Sequence, residues 1–495
     1  MMKLAFDNEK YLKLQSENIL KRVDKFSGKL YLEFGGKLFD DYHASRVLPG
    51  FLPDSKLRML MTIKDKVEIV VAISAQDIIN NKLRGDYNIT YDADVVRLIN
   101  AFRETGLYVS SVVVTRYTEN PSVKSFEIKL NNMGIRTYKA YSIDGYPHNV
   151  ETIISKDGFG KNDYIITERP VVVVTAPGPG SGKMATCLSQ LYHENIRGIK
   201  AGYAKYETFP IWNLALLDPV NQAYEAATAD LADVNMIDPY HLEAYGKTTI
   251  NYNRDVEIYP VLKSMFEAIY GECPYKSPTD MGVNMAGFAI FDHEVSDKAS
   301  KDEIIRRYLN TRVLLRNGRA TQESLDKIAL LMRGLKISLA DRKTVEAALN
   351  KKELSGTPSM ALELEDGTIV DAKTSPFLTA PAALLLNGLK ALANIPDDVL
   401  ILSKEVIEPV SRLKIDNLGN HNPRLHAEEA LIALAISATH DANAKAALDK
   451  LGELAHTQAH STVILSESDQ KTYSKLKIDL TQEPVAYVHN IYFKK

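Results

Sequence analysis

Short apolar runs alternate with helix-length amphipathic segments through the first third of the chain, and this alternation constrains the fold more than any other feature. Residues 67–74, VEIVVAIS, form a run typical of a strand buried inside a parallel sheet. Residues 92–106 follow with apolar side chains on one helical stripe. The order then repeats, with predicted strands within 107–117, 135–141 and 169–177 and predicted helices within 120–134 and 147–158. Because such units give right-handed crossovers, residues 1–200 are predicted to form a doubly wound parallel α/β sheet.

The pattern changes after residue 200. Residues 201–325 are predicted to be a mainly helical elaboration of the first domain, since no flexible Gly/Ser linker isolates them. A polar stretch at 316–327 marks a boundary, which predicts an N-terminal α/β domain over 1–325 and a C-terminal α/β domain over 326–495. The predicted elements of the second domain are a hairpin within 361–375, helices within 380–394 and 425–438, and strands within 399–403 and 461–466.

The segment VVVVTAPGPGSGKMATCLSQ, residues 171–190, is similar to a phosphate-binding loop. Such a P-loop consists of a strand, the pattern GxxxxGK[ST] and a helix, and its backbone N–H groups and lysine surround phosphate oxygens. A β-branched strand precedes the turn here, helical composition follows it, and the lysine is in register. The predicted phosphate-binding residues are Gly178, Gly180, Ser181, Gly182 and Lys183.

Two positions depart from the P-loop pattern. Pro177 replaces the first glycine and has no backbone N–H, while Met184 replaces the Ser/Thr and cannot ligate Mg²⁺. Ser181 and Thr186 are the alternative hydroxyls. The turn is not a dinucleotide fingerprint either, since Lys183 stands where that pattern needs glycine. The sequence therefore favours an anion site over a Mg²⁺-dependent NTPase, and it leaves open a tight turn whose glycines serve only packing.

A stretch rich in aspartate, residues 228–246, supplies candidates for further chemistry. Asp230, Asp238 and His241 are of the residue types that bind metal ions or act as general acids and bases. Acidic helix faces and N-caps produce the same composition, so a structural role stays open. With Lys183, which would stabilise developing phosphate charge, these three are the predicted catalytic residues. The sequence identifies no metal.

Other polar segments are less specific. A second glycine-rich turn ends at Lys37, and with Arg46 it could bind a carboxylate or phosphate or form a hairpin with solvated charges. Residues 251–257 and 276–284 are unusually polar for connectors and could line a substrate cleft.

Three histidines near the C-terminus, His426, His456 and His460, are candidates for metal-binding or catalytic residues. His426 begins an HAE triplet like that of zinc deaminases, but the partner Pro-Cys-x-x-Cys is missing, which excludes that site. His456 and His460 are predicted to lie at i, i+4 on a helix, but without the glutamate of a metalloprotease. Whether any of them reaches a site stays open.

Composition narrows the class of partner. The 60 Lys and Arg residues nearly balance the 63 Asp and Glu residues, so no nucleic-acid or membrane partner is expected. Two cysteines cannot form a disulfide framework or a four-thiolate zinc site. The first residues are charged where a signal peptide needs an apolar stretch, and no apolar run is long enough to span a membrane. A cytoplasmic protein is expected.

Several longer strings resemble a bacterial family of conserved hypothetical proteins, known as uncharacterised protein family 0371 or domain of unknown function 1846. These strings are residues 176–194, 221–246, 251–262, 275–284 and 459–470. The resemblance runs the whole length and implies a cytosolic bacterial protein with no assigned reaction. It supplies no catalytic residues.

Two hypotheses follow from the residues. The first is a metabolic enzyme that binds a nucleotide or other phosphorylated small molecule at residues 177–184, as a transferase or hydrolase. The second is a non-catalytic, nucleotide-responsive assembly protein that forms a homo-oligomer, which Met184 favours. A nucleotide is the candidate cofactor, and Met184 argues against dependence on Mg²⁺.

Overall fold

The computed structural model is a mixed α/β protein, as the sequence predicts. It describes residues 3–36, 38–39, 41–84, 88–231 and 233–486. The chain divides into two compact units: an N-terminal unit of Leu4–Glu225 and Ala232–Ser300, and a C-terminal unit of Met1–Lys3, Ala226–Leu231 and Lys301–Lys495. The boundary predicted at residue 325 lies inside the helix Gln322–Gly334, and the contacts divide the chain earlier. That boundary therefore stays a prediction.

Strands and helices alternate along the chain. The strands are β1 (Leu30–Phe34), β2 (Val67–Ser74), β3 (Leu83–Arg84), β4 (Ile89–Thr90), β5 (Tyr108–Thr115), β6 (Arg136–Lys139), β7 (Val171–Thr175), β8 (Gly202–Tyr206), β9 (Asn235–Ile237), β10 (Ile250–Tyr252), β11 (Gly282–Val283), β12 (Ser359–Glu363), β13 (Ile369–Lys373), β14 (Gln458–Ser461) and β15 (Asp479–Gln482). The helices are α1 (Asn8–Lys25), α2 (Tyr42–Val47), α3 (Ser55–Thr62), α4 (Ala75–Ile79), α5 (Tyr91–Glu104), α6 (Pro121–Asn132), α7 (Val150–Ile153), α8 (Lys183–Ile196), α9 (Pro219–Ala227), α10 (Pro239–Tyr245), α11 (Asn253–Tyr270), α12 (Pro278–Met281), α13 (His293–Arg316), α14 (Gln322–Gly334), α15 (Lys343–Ser355), α16 (Ala380–Leu392), α17 (Lys404–Arg412), α18 (Ala427–Ser437), α19 (Ala442–Asp449) and α20 (Glu467–Lys475).

A parallel sheet forms the centre of the N-terminal unit. Its strand order is β11-β8-β1-β7-β2-β5-β6, and every neighbouring pair is parallel. All residues of β2 and β7 are buried, which explains why their sequences are mostly apolar. Two strands of this sheet, β8 and β11, come from the segment after residue 200. The sheet therefore extends beyond the residues that the sequence pattern assigned to it, because GYAKY in β8 lacks the expected apolar run.

The direction of the connections reverses between β2 and β7. The chain leaves β7 through α8 and passes over β1 to reach β8. It leaves β2 through α4 and α5 and runs the opposite way, to β5. Right-handed crossovers in opposite directions put the two sets of helices on opposite faces. A crevice therefore opens at the carboxyl ends of β2 and β7, which is where doubly wound sheets bind ligands.

The C-terminal unit contains a separate mixed sheet. Its order is β13-β12-β14-β15, in which β12 pairs antiparallel with both neighbours and β14 pairs parallel with β15. The predicted β12–β13 hairpin and the α16 and α18 helices are confirmed. Buried side chains of these elements, including Leu362, Leu385 and Leu434, form the core.

Three local predictions in the sequence are wrong. Residues 399–403 form no strand, because Ile401 and Leu402 enter the core from an irregular segment before α17. Residues 453–462 form no long helix: His456 adopts a left-handed backbone with φ of 67°, and β14 follows it. The strand predicted within 461–466 is wrong as well: β14 ends at Ser461, and beyond it Ile464 forms only an isolated bridge with Ala486. The helix predicted within 147–158 is present as the shorter α7.

None of the helices in the described part of the chain combines the length and apolar composition that a membrane-spanning segment requires.

Candidate functional site

The glycine-rich loop, residues 176–182, joins β7 to α8 at the crevice between β2 and β7. Gly182 caps α8 with φ of 87°, and Gly180 has φ of 75°. Ser181 between them has a negative φ. Backbone that alternates in this way turns successive N–H groups toward one side and forms an anion-binding concavity. No residue in the described ranges accepts a hydrogen bond from the N–H groups of Gly180, Ser181, Gly182 or Lys183.

Three positions of the loop require glycine, each for a different structural reason. A Cβ at Gly178 would lie 2.3 Å from the Tyr91 hydroxyl oxygen, so only glycine fits there. Gly180 faces open space, and its positive φ is the constraint. Gly182 has both a positive φ and the Thr115 side chain 3.0 Å from the Cβ position. The glycines therefore let the backbone pass close to the ends of neighbouring elements.

Two residues at the end of β5 hold the carbonyl groups of the loop. The Thr115 hydroxyl donates to the Ser181 carbonyl at 2.8 Å, and the Arg116 guanidinium donates to the Gly180 carbonyl at 2.7 Å. Arg116 is exposed and has φ of 48°, which is uncommon for a residue with a side chain. These bonds engage the carbonyl groups of the loop and hold its backbone in place. Arg116 also adds a second cation beside it.

Lys183 begins α8 and is half-buried. No carboxylate forms an ion pair with it in the part of the chain that the structure describes. The hydroxyls that could have replaced the Mg²⁺-binding Ser/Thr point inward: Ser181 donates to the Gly178 carbonyl at 3.0 Å and Thr186 to the Gly182 carbonyl at 2.9 Å. The loop therefore presents N–H groups and positive charge, without a hydroxyl directed at a metal ion.

A cluster of charged side chains lies beside the loop. We call it the charged cluster, and it comprises Glu33, Tyr203, Lys205, Glu207 and Asp255. Glu33 of β1 is the register partner of Val174 on one side and of Lys205 on the other. Because β1 separates β7 from β8, Lys205 lies two strand spacings, roughly 10 Å, from β7.

The same face of the sheet carries α8 and the cluster. The Tyr203 hydroxyl donates to Glu33 at 2.6 Å. Cys187, one turn beyond Lys183, is fully buried; burial raises the pKa of its thiol well above the usual value, Glu33 raises it further and Lys183 opposes them. Glu33 and Lys183 thus both act on the same thiol, which relates the start of α8 to the cluster.

Lys205 is the centre of this cluster. Its ammonium group forms ion pairs with Glu207, at 2.8 Å, and with Asp255 in the first turn of α11. The Lys205 side chain retains 21% of its exposure, so solvent reaches the cluster. Burial opposes the charged ammonium, but Asp255 and Glu207 outweigh it and raise the Lys205 pKa. Burial also raises the pKa of Glu207 to about 7; Lys205 opposes this shift and Asp255 adds to it.

Two of the predicted catalytic residues, Asp238 and His241, have structural partners. Asp238 is fully buried and caps α10, accepting from the His241 N–H at 3.0 Å and from the Thr279 hydroxyl at 2.6 Å. His241 Nδ1 lies 2.9 Å from the Ser277 hydroxyl. Asp230 is exposed on a short 3₁₀ helix that belongs to the C-terminal unit. Their proposed acid–base role stays a prediction.

The remaining sequence candidates have mixed outcomes. Lys37 lies outside the described residues, so the second glycine-rich turn is not characterised. Of the polar segments at 251–257 and 276–284, Asp255 joins the charged cluster, whereas Asn284 donates to the buried carbonyls of Thr208 and Pro210. His460 is fully buried in β14 against the Thr481 hydroxyl, and burial lowers its pKa.

Sequence reasoning missed Tyr91, Thr115, Arg116 and most of the charged cluster. What most of these residues share is their place in the sheet. They lie at or next to the carboxyl ends of parallel strands: Thr115, Arg116, Glu33 and Lys205. A groove of about 500 Å³ lies between α4, the first turn of α5 and α6. Its lining residues are Ile78, Asn81, Asp92, Pro121, Ser122, Ser125, Phe126 and Lys129.

Within the described residues, no group of three or more His, Cys, Asp or Glu side chains is arranged to hold a metal ion.

Comparison with known proteins identifies the family. The family model "Domain of unknown function DUF1846, N-terminal" matches residues 4–336, and its C-terminal counterpart matches residues 340–492. A UPF0371 protein of Streptococcus sanguinis (strain SK36) is 53% identical over 494 residues, and UPF0371 protein str1377 of Streptococcus thermophilus (strain CNRZ 1066) is 54% identical over 494 residues. A UPF0371 protein of Streptococcus pneumoniae (strain JJA) is 53% identical, and each alignment covers 100% of both chains. The chain therefore belongs to the UPF0371 family of proteins with DUF1846 domains, a family whose name assigns no reaction.

Proposed function

We propose that the N-terminal unit binds the phosphate group of a small molecule in the glycine-rich loop, and that the protein is a cytoplasmic metabolic enzyme. One observation carries the proposal: the loop lies at the carboxyl ends of β2 and β7, where the connections of a doubly wound sheet diverge. Anions bind at such helix starts because free N–H groups and the helix dipole both favour negative charge.

The charges around the loop support a phosphate rather than a neutral ligand. Lys183 stands at the start of α8 without an ion-pair partner in the described ranges, and Arg116 reaches the loop from β5. A guanidinium and an ammonium beside the same backbone concavity are the groups that proteins use to hold phosphate oxygens.

The ligand we favour is a phosphate monoester bound without Mg²⁺. Nucleoside triphosphates are held in P-loops with Mg²⁺, which needs the hydroxyl that Met184 replaces. Ser181 and Thr186 donate to carbonyls of the loop instead. Lys183 and Arg116 would supply the positive charge that the metal supplies elsewhere.

The charged cluster provides the chemistry in this proposal. Glu207 has a pKa near neutrality because it is buried beside Asp255, so it can both accept and donate a proton at physiological pH. Lys205 stays an ammonium and can stabilise negative charge that develops on a substrate oxygen. A small phosphorylated metabolite is long enough to span the two strand spacings, roughly 10 Å, that separate Lys205 from β7.

Met184 also favours a second function, a non-catalytic protein whose assembly responds to the ligand. In that case the loop binds phosphate without turnover, and the ligand changes the oligomeric state. Sedimentation velocity with and without the stabilising ligand separates the two functions, since only the second predicts a ligand-dependent change in mass.

The proposal is tested by thermal unfolding of the purified chain with inorganic phosphate, sugar phosphates, ATP, GTP and NAD(P), each with Mg²⁺ and with EDTA. A ligand at 100 times its dissociation constant stabilises the folded state by about 2.7 kcal/mol. We expect one phosphorylated class to stabilise the wild type in EDTA and to have no effect on Lys183→Ala. If no phosphorylated compound stabilises the wild type at millimolar concentration, the loop is a packing feature and the proposal fails.

A further inference from the structure

His426 and Asp469 form an ordered pair in the C-terminal unit, which the proposed function does not use. His426 Nδ1 lies 2.8 Å from Asp469 Oδ2. Asp469 is nearly inaccessible, with a side chain 3% exposed, whereas the His426 side chain is 26% exposed. The carboxylate is therefore inside and the imidazole reaches the surface.

The environment of Asp469 fixes its charge and position. Its Oδ1 accepts from the Ala427 N–H at 2.9 Å, and its Oδ2 accepts from the Ser466 hydroxyl at 2.7 Å. Burial opposes ionisation, but the bonds from His426, Ala427 and Ser466 outweigh it and lower the Asp469 pKa. An ionised carboxylate only accepts hydrogen bonds, so Nδ1 of His426 carries a hydrogen. In the neutral ring Nε2 is then the acceptor.

Other groups satisfy the backbone around the ring. The His426 N–H donates to Glu429 at 2.8 Å, and Glu429 also receives the buried ammonium of Lys414 at 2.6 Å. Lys414 lies on the π-helix Leu413–Asn417. This conformation is rare in proteins, and where it does occur it is often found at functional sites. Lys414 further donates to the Arg424 carbonyl at 2.6 Å. The segment that carries the imidazole is thus held from both sides.

The outer edge of the ring meets an amide. Asn422 Nδ2 lies 3.3 Å from His426 Nε2. A hydroxyl group can replace this contact, because it donates its hydrogen to Nε2 and accepts a hydrogen bond from the amide. The pair is therefore complementary to a hydroxyl.

We propose that His426 is a general acid–base residue of a second site, which acts on a hydroxyl compound or water, with Asp469 as its positioning residue. Nε2 takes the proton of the O–H group as that oxygen attacks an electrophilic carbon or phosphorus. Asp469 stabilises the imidazolium, which then returns the proton to the leaving group. The oxygen gains the new bond, the leaving group keeps its bonding electrons, and the ring ends neutral.

The test is carbethoxylation of the full chain by diethyl pyrocarbonate, with each histidine followed by mass spectrometry. Only an unprotonated, accessible imidazole nitrogen reacts. His440 is the internal reference, because it is exposed and has the Thr439 hydroxyl rather than a carboxylate at Nδ1. We expect His426 to react at least as fast as His440 although it is less exposed. Slower reaction of His426 than of His440 overturns the proposal.

Two variants test the role of Asp469. Asp469→Asn should slow modification of His426 roughly tenfold, as loss of an orienting carboxylate does elsewhere. Ser466→Ala removes the other side-chain donor to Asp469 but leaves the carboxylate, so His426 should stay reactive. Equal rates of His426 modification in the wild type and Asp469→Asn would show that the carboxylate does not position the ring.

Catalysis is measured as the rate of hydrolysis of p-nitrophenyl acetate. In this reaction water is the attacking hydroxyl compound and p-nitrophenol is the leaving group. The rate of the full chain should fall in His426→Gln and stay unchanged in His440→Gln. Equal loss in both variants, or loss in neither, excludes a special role for His426.

Discussion

Glu33 of β1 and Lys205 of β8 are register partners on adjacent parallel strands, and both lie within one residue of the carboxyl ends of those strands. Glu33 is also the register partner of Val174, next to the last residue of β7. The sheet itself therefore holds the charged cluster beside the glycine-rich loop. Neither β-branched runs nor glycine spacing in the sequence reveals this relationship, because it depends on the order of strands that are distant in the chain.

Gly178→Ala should destabilise the N-terminal unit. The new Cβ would lie 2.3 Å from the Tyr91 hydroxyl oxygen, and overpacking of this kind costs about 1–3 kcal/mol. Gly35→Ala is the matched control, because its nearest atom is 3.6 Å away and it has no positive φ. Chemical denaturation of both variants measures the effect. Equal stability of the two variants would mean that Tyr91 does not pack against the loop.

Glu207 should give the protein a characteristic dependence of stability on pH. Its pKa is about 7 in the folded state, above the ordinary value of 4.5, so the folded state binds more protons between these values. The contribution of Glu207 to the free energy of unfolding is therefore most favourable below pH 4.5, and it is lost as the pH rises through 7. Glu207→Gln should remove this loss, worth on the order of 1–3 kcal/mol. Denaturation of wild type and variant from pH 5 to 8 tests it, and parallel curves would contradict the proposed protonation of Glu207.

Asp238 should act in folding rather than in ligand binding. Asp238→Ala removes the N-cap of α10 and the bonds to Thr279, which together stabilise by about 1–3 kcal/mol. Asp238→Asn keeps an oxygen for the cap and is the milder control. Binding of the stabilising phosphate ligand should be unchanged in Asp238→Asn. A large loss of binding there would restore the acid–base role that the sequence suggested.

Arg116 should contribute to affinity through its charge. Arg116→Ala should weaken phosphate binding roughly tenfold or more, the usual effect of losing one charge-assisted hydrogen bond. Arg103→Ala is a matched control, since Arg103 is also exposed and donates to a backbone carbonyl, that of Met133. Calorimetric titration of both variants gives the comparison. Equal affinity would show that Arg116 only supports the loop conformation.

The fold was predictable where hydrophobic periodicity is strong. The runs in β2 and β7 and the stripes in α5 and α6 lie where the sequence placed them, because these elements are buried and their pattern reports burial directly. The pattern failed at β8, where Tyr203 and Lys205 serve the charged cluster. It failed again at His460, which is polar and yet fully buried in β14. In both places tertiary partners satisfy polar side chains inside the core.

The candidate site was only partly predictable for a related reason. The glycine-rich loop is contiguous, so Gly180, Gly182 and Lys183 could be read from their spacing. Arg116 and Glu207 reach the site through the strand order, which one sequence does not encode in any local pattern. Asp238 shows the opposite difficulty: a helix cap and a catalytic acid have the same residue type, so the sequence alone does not separate the two roles, and the catalytic role stays a prediction.

³¹P NMR titration of inorganic phosphate with the full chain in EDTA measures directly whether the glycine-rich loop binds phosphate. We expect saturable line broadening for the wild type, the same broadening after Mg²⁺ is added, and none for Lys183→Ala with its thermal midpoint unchanged. Lys343→Ala, which removes a lysine from the first position of α15, should behave as the wild type does. Equal broadening by wild type and Lys183→Ala, or no saturable broadening by the wild type, would contradict a phosphate site at the glycine-rich loop.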